Sequence, residues 1–390
     1  MDHIITLNAG SSSLKFALFT AEGPEPALIC SGAVERIGRP AANLCARMAD
    51  GEVIADATPG ALQDHAGAID CVLNLLAGHF PSARVVSVGH RIVHGGPDHD
   101  RPILLAPDNL NTLEMLEPFA PLHQPFNLQG VRAAMARFPQ AQQVACFDTA
   151  FHRHHPWVND TFALPIEYYE MGVRRYGFHG LSYDYISGHL AETAPQVHAG
   201  RVVVAHLGNG ASMCGMKNGE SIGSSMGFSA MDGLPMGTRS GQIDPGALLF
   251  LMQQKGMGAA EISDLLYRQS GLLGMSGLSN DMRTLEQSDR PEARRAIEYF
   301  TFRARRELGA LTAVLGGLDA VVFTGGIGEH SALVRQQICT DMGWFGIDLN
   351  PDANGDNARV ISTDTSRVQV MVIPTNEELV IARAALGFLI

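Results

Sequence analysis

The order of segments predicts a two-domain α/β chain, built by duplication, with a cleft between the domains. Three observations carry this. The first 60 or so residues read as a strand meander and then give way to alternating helix and strand. The same order returns in the second half, from residue 201. Leu7-Asn8-Ala9-Gly10-Ser11-Ser12 lies over Leu207-Gly208-Asn209-Gly210-Ala211-Ser212 at an offset of 200 residues, matching Gly10 with Gly210 and Ser12 with Ser212.

Residues 3–8, 14–20 and 27–37 have strand composition, and 43–57 reads as a hairpin turning at Asp50-Gly51. Residues 61–77 have helical spacing, 85–93 is a strand, 129–136 falls in a helix, and 144–148 is a short strand. In the second half 201–207 is a strand, and 211–217 with 220–226 forms a hairpin around Asn218-Gly219. Helices follow at 245–255, 259–267 and 291–315, the first capped by Asp244 with Pro245 behind it. Residues 320–324 form a strand entering a Gly-rich loop, 368–373 another strand, and the chain closes on a helix from 376 to about 389.

With 390 residues and 46% hydrophobic content the chain can bury a large core. A net charge of −12 argues against nucleic acid or an anionic membrane as the main partner. Lysine is confined to Lys15, Lys217 and Lys255. The six cysteines are scattered without a CxxC pair and read as buried thiols in a reducing compartment. The opening MDHIITLNAG is no signal peptide, and no apolar run is long enough to span a membrane. A cytoplasmic protein is expected.

Several loops carry chemistry. Gly10-Ser11-Ser12-Ser13 offers unhindered N–H groups and hydroxyls for phosphate oxygens, with Lys15 as a nearby charge. It is not a Walker A loop. HLGNGAS (206–212) is a second loop of that type, and FTGGIGEH (323–330) a third Gly-rich connection. Arg91 and Arg239 each stand between glycines and suit a carboxylate or a phosphate. His179 sits in the aromatic loop GVRRYGFHG, and Asp148 ends a buried-looking strand. HRHH (152–155) lacks the spacing of a zinc set. Thr375-Asn376-Glu377-Glu378 fits a capping box, with Thr375 as the cap and Glu378 reaching back, which leaves Glu377 for a metal.

Taken in order, these motifs resemble the acetate kinase family of acyl-phosphate-forming kinases. They are NAGSSSLKF (8–16), GHRIVHGG (89–96), FDTAFH (147–152), RRYGFHG (174–180), HLGNGAS (206–212), SMGF (225–228), MGTRSGQIDPG (236–246), SGLLGMSGLSNDMR (270–283), TGGIGEH (324–330) and PTNEEL (374–379), spanning nearly the whole chain. The resemblance implies two duplicated actin/Hsp70/sugar-kinase-like domains: 1–149 with a C-terminal helix at about 376–390, and a nucleotide-binding domain at 150–375. It implies a homodimer and the reversible reaction of ATP and acetate to ADP and acetyl phosphate, with Mg²⁺ or Mn²⁺ in its place. By motif, Asn8, Asp148 and Glu377 would organise the metal. Lys15, Ser12, His206, Leu207, Gly208, Asn209 and Gly210 would bind the nucleotide, with Asp281, Met282, Arg283, Gly326, Ile327, Gly328, Glu329 and His330. Arg91, His123, His179 and Arg239 would surround the phosphoryl group in flight, beside Asp148. Val93, Leu122, Phe178 and Ala230 would line the acyl pocket. Two departures stand out: Ala230 where the family commonly has proline, and Leu181-Ser182-Tyr183 where Thr-Ser-His is usual. The smaller Ala230 makes propionate the alternative substrate, since one methylene discriminates by only about 1–3 kcal/mol.

An acid substrate with a pKa of about 4–5 is ionised at neutral pH and needs no general base. The obstacle is an anion attacking a polyanion, which two arginines, a histidine and a divalent cation would relieve. Asp148 is therefore expected to organise the metal. The rivals are a hydroxyl kinase, in which Asp148 must act as a base, and a nucleotide-switched binding module, of which the chain's end straight after its last helix disfavours the chaperone form but not a regulatory one.

Overall fold

A computed structural model of the chain describes residues 2–10, 13–38, 41–60 and 62–390. It divides into two compact units, Met1–Arg153 with Asn376–Ile390, and His154–Thr375.

The first unit holds strands β1 (Asp2–Ala9), β2 (Ser13–Thr20), β3 (Leu28–Glu35), β4 (Asn43–Met48), β5 (Val53–Ala57), β6 (Arg84–Ile92), β7 (Ile103–Leu104) and β8 (Gln142–Phe147). Among the described residues they form one sheet in the order β5-β4-β3-β2-β1-β6-β8-β7. β1 to β5 pair in sequence order as an antiparallel meander. β1, β6 and β8 run parallel, which requires crossovers, and the helices His65–His79 and Gln124–Arg137 supply them. Ile5, Leu7, Leu14 and Phe16 pack against Ile69, Val72 and Leu73 of the first helix. Each such side chain contributes roughly 1.5–3 kcal/mol when fully buried. The helix Glu377–Gly387 covers β1, β6 and β8. A Cβ on Gly89 of β6 would lie 2.4 Å from Ile381 Cγ2, so glycine is what lets this helix seat. Its cap is Asn376, whose side chain accepts from Leu379 N at 3.0 Å, and not Thr375 as the capping-box reading had it.

The second unit holds β9 (Arg201–Leu207), β10 (Ala211–Lys217), β11 (Glu220–Ser224), β12 (Ala320–Thr324) and β13 (Gln369–Val372), in the order β11-β10-β9-β12-β13. β9, β10 and β11 are antiparallel, and the β10–β11 turn holds Asn218 and Gly219 at φ 53° and 78°, the left-handed pair such a turn requires. β9, β12 and β13 are parallel. The 25-residue helix Pro291–Leu315 packs Leu311 and Leu315 over Gly215 of β10 and ends at Gly316 in the left-handed conformation. No helix among the described residues is long and apolar enough to cross a membrane. All six cysteines are free thiols, four of them buried as expected, whereas Cys45 and Cys71 are only half-buried.

Candidate active site

In the first unit the ends of three parallel strands gather one charged cluster. Asn8 lies on β1, Arg91 on β6, Asp148 one residue past β8, and Glu377 at the first turn of the last helix. Arg91 forks onto Asp148, with Nε to Oδ1 at 2.9 Å and Nη2 to Oδ2 at 2.6 Å. Its Nη1 donates to Asn8 Oδ1 at 3.0 Å, and Asn8 Nδ2 donates to Glu377 Oε2 at 3.1 Å. Burial opposes the charge on Arg91, but Asp148, Glu377 and Glu378 outweigh it and hold the guanidinium above its ordinary pKa. Burial, then the charge of Glu377, pushes the Glu378 carboxyl upward. Glu378 does not reach back as a cap; its Oε1 is buried without a hydrogen-bond partner.

This cluster is rich in hard oxygen donors. No group of three His, Cys, Asp or Glu among the described residues is arranged to hold a metal alone. Mg²⁺ rarely asks for one, since it takes one or two carboxylates and completes its shell from phosphates and water. Asp148, Glu377 and the Asn8 amide fit that habit.

Two residues that the sequence reading missed fix the strand ends. Asn127 accepts from Val93 N at 2.9 Å and donates to Ala9 O at 2.8 Å, tying β1 to the residue after β6. Gln124 accepts from His94 N and donates to His94 O and Leu113 O. Their i, i+3 spacing beside Leu128 and Val131 was the available signal, polar groups on the buried face of a helix. Val93 is buried and Leu122 half-buried, while His123 takes the N-cap position of the helix Gln124–Arg137. Lys15 is exposed and faces Asn8 across the β1–β2 pair. The turn between these strands is anchored at Gly10, whose N–H donates to Ser13 O at 2.8 Å and whose carbonyl accepts from His65 Nε2 at 2.6 Å. Ser12 lies outside the described residues.

In the second unit a ring stack occupies the corresponding place. His179, at φ 59°, stacks on His206 with ring centres 4.4 Å apart. His179 Nδ1 bonds Ser212 Oγ and His206 Nδ1 bonds Ser182 Oγ, both at 2.8 Å. A Cβ on Gly210 would lie 3.2 Å from His179 Nε2 and 4.0 Å from Arg239 Nη1, so the histidine and the arginine converge on this glycine. Arg239 Nη1 also donates to Ala230 O at 2.8 Å. Phe178 is buried. The loop that carries Arg239 is tied down: Gly237 N donates to Asn209 O, and Leu272 N and Leu273 N donate to Met236 O and Gly237 O. Gly208 N closes the 208–210 turn on Gly210 O, and Leu207 ends β9 in the core. The last two residues of HLGNGAS are no loop: Ser212 lies buried in β10 under His179, within the 211–217 strand read from the sequence.

FTGGIGEH is likewise no loop. The helix Gly325–His330 starts directly after β12. A Cβ on Gly325 would lie 2.8 Å from Leu207 O, and Glu329 Oε1 accepts from Gly325 N at 2.8 Å. Gly326 and His330 are exposed and Ile327 partly so, whereas Gly328 is buried. The carbonyls of Gly328 and Glu329 accept from Arg335 Nη1 at 2.8 and 3.0 Å. Arg335 is fully buried, spends its remaining donors on Asn354 and Asn357, and gave no signal in the sequence. Asp281 caps the helix Met282–Glu286 and pairs with the exposed Arg283, whose hydrogen bond holds the Asp281 carboxyl below the usual range. The Met282 side chain is in the core, which removes it as a side-chain contact for a ligand.

The Acetokinase family model matches residues 3–383. The chain belongs to the acetokinase family. It is 54% identical over 395 residues to an acetate kinase of Methylocella silvestris, covering 99% of this chain and 98% of that one. The crystal structure of Porphyromonas gingivalis acetate kinase superposes with a TM-score of 0.87 at 37% identity, covering all of both chains. A propionate kinase structure from Francisella tularensis gives 0.90 at 35% identity, covering 99% of this chain and 100% of that one. The acetokinase fold, duplicated and actin-like, is the α/β class the segment order predicts.

Proposed function

We propose that the chain transfers the γ-phosphoryl group of ATP to acetate, reversibly, giving ADP and acetyl phosphate with Mg²⁺. The observation that carries this is acetokinase membership over residues 3–383 together with an Arg91–Asp148–Asn8–Glu377 cluster made of that family's motif residues. The 54% identity to an acetate kinase, against 35% to a propionate kinase, favours acetate over the propionate alternative.

In this reading Asp148, Glu377 and Asn8 hold Mg²⁺, which neutralises charge on the transferring phosphates when bound. Mn²⁺ accepts the same oxygen donors and is the expected substitute. Asp148 is no general base: both its oxygens accept from Arg91, and the acid substrate needs no deprotonation at neutral pH. Arg91, Arg239, His179 and His123 meet the developing charge of the phosphoryl group. Val93, Leu122, Phe178 and Ala230 take the acyl chain. The second unit binds ATP through 206–210, Asp281 and Arg283, and the exposed Gly326, Ile327 and His330; Gly328 and Glu329 set the turn. Lys15 and Ser12 serve the phosphates.

We also infer a homodimer. The helix Pro245–Lys255 has no buried residue yet carries Leu249, Phe250 and Met252, each about half exposed, a face that a second copy would cover. Six free thiols fit the cytoplasm.

The test is ATP-dependent acyl hydroxamate formation with acetate, propionate and butyrate at equal concentration. Strongest turnover with acetate is expected. A folded, ATP-binding protein that yields no hydroxamate with any of them would refute the assignment.

A further inference from the structure

Behind His179 lies a buried polar line that the reaction as described does not use. Ser212 Oγ lies 2.8 Å from His179 Nδ1 and also bonds the Tyr183 hydroxyl closely. Ser212 and Tyr183 are each 0% exposed. We propose that Tyr183, acting through Ser212, is a positioning residue that fixes His179 as the tautomer protonated on Nε2, so that the ring presents a donor at Gly210 beside Arg239.

The argument is one of counting protons. A serine hydroxyl has one proton and two lone pairs; Ser212 is fully buried and, among the described residues, its hydroxyl bonds only His179 and Tyr183, so its proton is satisfied only if it donates to one and accepts from the other. A phenol is the stronger acid and the poorer acceptor of the two hydroxyls, so Tyr183 donates to Ser212. Burial keeps the phenol protonated, far above its ordinary titration range. The Ser212 proton then turns to His179 Nδ1, which must accept it with a lone pair. The remaining ring proton therefore sits on Nε2, the atom that approaches Gly210. Hydrogen bonds in such a row polarise one another in the same sense. His206 stacks alongside with its own Nδ1 on Ser182, so neither ring is free to turn. A hydrogen-bond donor at Nε2 suits the phosphoryl oxygens of the proposed reaction, on which this part of the inference rests.

The experiment uses full-length protein labelled with ¹⁵N-histidine, with His179 assigned from the signals lost in His179→Gln. Long-range ¹H–¹⁵N spectra of the wild type should give a protonated Nε2 and an unprotonated Nδ1. In Tyr183→Phe, which removes one oxygen from a buried ring, the Nε2 form should give way to a mixture. The acetate-dependent kcat should fall about tenfold, the scale of one lost buried hydrogen bond, with KM for ATP unchanged. Ser212→Ala should reproduce the spectral change without touching the tyrosine. A wild-type ring protonated on Nδ1, or a tautomer unmoved in both variants, overturns the relay. So does a tautomer shift that leaves kcat intact. The wild-type spectrum reads the tautomer whether or not acetate is the substrate, so a failed hydroxamate assay would sink the kinase reading and leave the relay standing.

Discussion

The two sheets repeat one another strand for strand over their shared part. β3-β2-β1-β6-β8 in the first unit and β11-β10-β9-β12-β13 in the second have the same order and the same switch from antiparallel to parallel at the central strand. What differs is the chemistry at the strand ends. The first unit gathers carboxylates, an amide and a part-buried arginine there. The second gathers stacked imidazoles held by serines, with glycines that let a ligand approach. The hairpins differ too: pairing in the first runs to Ala9–Leu14, while in the second it stops at Leu207–Ala211 across a shorter turn. In the proposed reading, duplication preserved a scaffold and let each copy specialise, one for hard cation and acid, the other for nucleotide.

This division is open to test, and the arginines give the largest effect. Arg91→Ala and Arg239→Ala should each lose about 2–4 kcal/mol of transition-state stabilisation, read as kcat/KM for acetate. A loss a hundredfold smaller than that range implies would exclude either arginine from contact with the reacting group. Arg335→Met should act on the second unit alone. It removes a buried charge but strands several acceptors, at a cost of about 2–3 kcal/mol in thermal or urea unfolding, and it should raise KM for ATP by loosening Gly328 and Glu329. A rise in KM for acetate instead would break the proposed separation of roles. Asp148→Asn should weaken Mn²⁺ binding about tenfold or more by calorimetry, along with its loss of rate. Rate collapse with unchanged Mn²⁺ affinity would return Asp148 to the role of a base.

The smallest effect is on pH stability. Burial holds His90 down to about 4 and, with help from Arg153, His94 down to about 3. Unfolded histidine titrates near about 6.5. Between those values the unfolded chain binds more protons, so the stability of the first unit should fall as pH drops from about 6.5 toward 4. His90→Gln should flatten that slope, and an equal Tm across the window would contradict the buried neutral rings.

The strands and long helices were legible because period and turn chemistry are local. Residues 201–207, 211–217 and 291–315 read from the sequence coincide with β9, β10 and the long helix. The Asn218-Gly219 turn could be named because left-handed backbone demands such residues. The site residues were legible as types, through Gly-flanked cations and a buried acid. Their partners were not. That Arg91 would lock onto Asp148, 57 positions away, depends on strand order, which no local pattern encodes. Asn127 and Arg335 were passed over for the same reason, and the tie between Ser212 and Tyr183, both named in the sequence, stayed hidden: a polar residue inside an apolar element looks like noise until its distant partner is known. The Gly325–His330 helix was hidden because three glycines in six residues argue for a loop, and only contact with β9 makes a helix of them.

The helix Glu377–Gly387 belongs to the first unit although the whole second unit precedes it in the chain. During synthesis the sheet of residues 2–147 leaves the ribosome early, with Gly89 and the strands around it still uncovered on that face. Residues 154–375 follow as an unbroken stretch that can finish its own core. The helix that seals the first sheet arrives last and brings Glu377 with it. In the proposed reading, which gives Glu377 to the metal, the oxygen set of Asn8, Asp148 and Glu377 is complete only once this helix has docked on β1, β6 and β8.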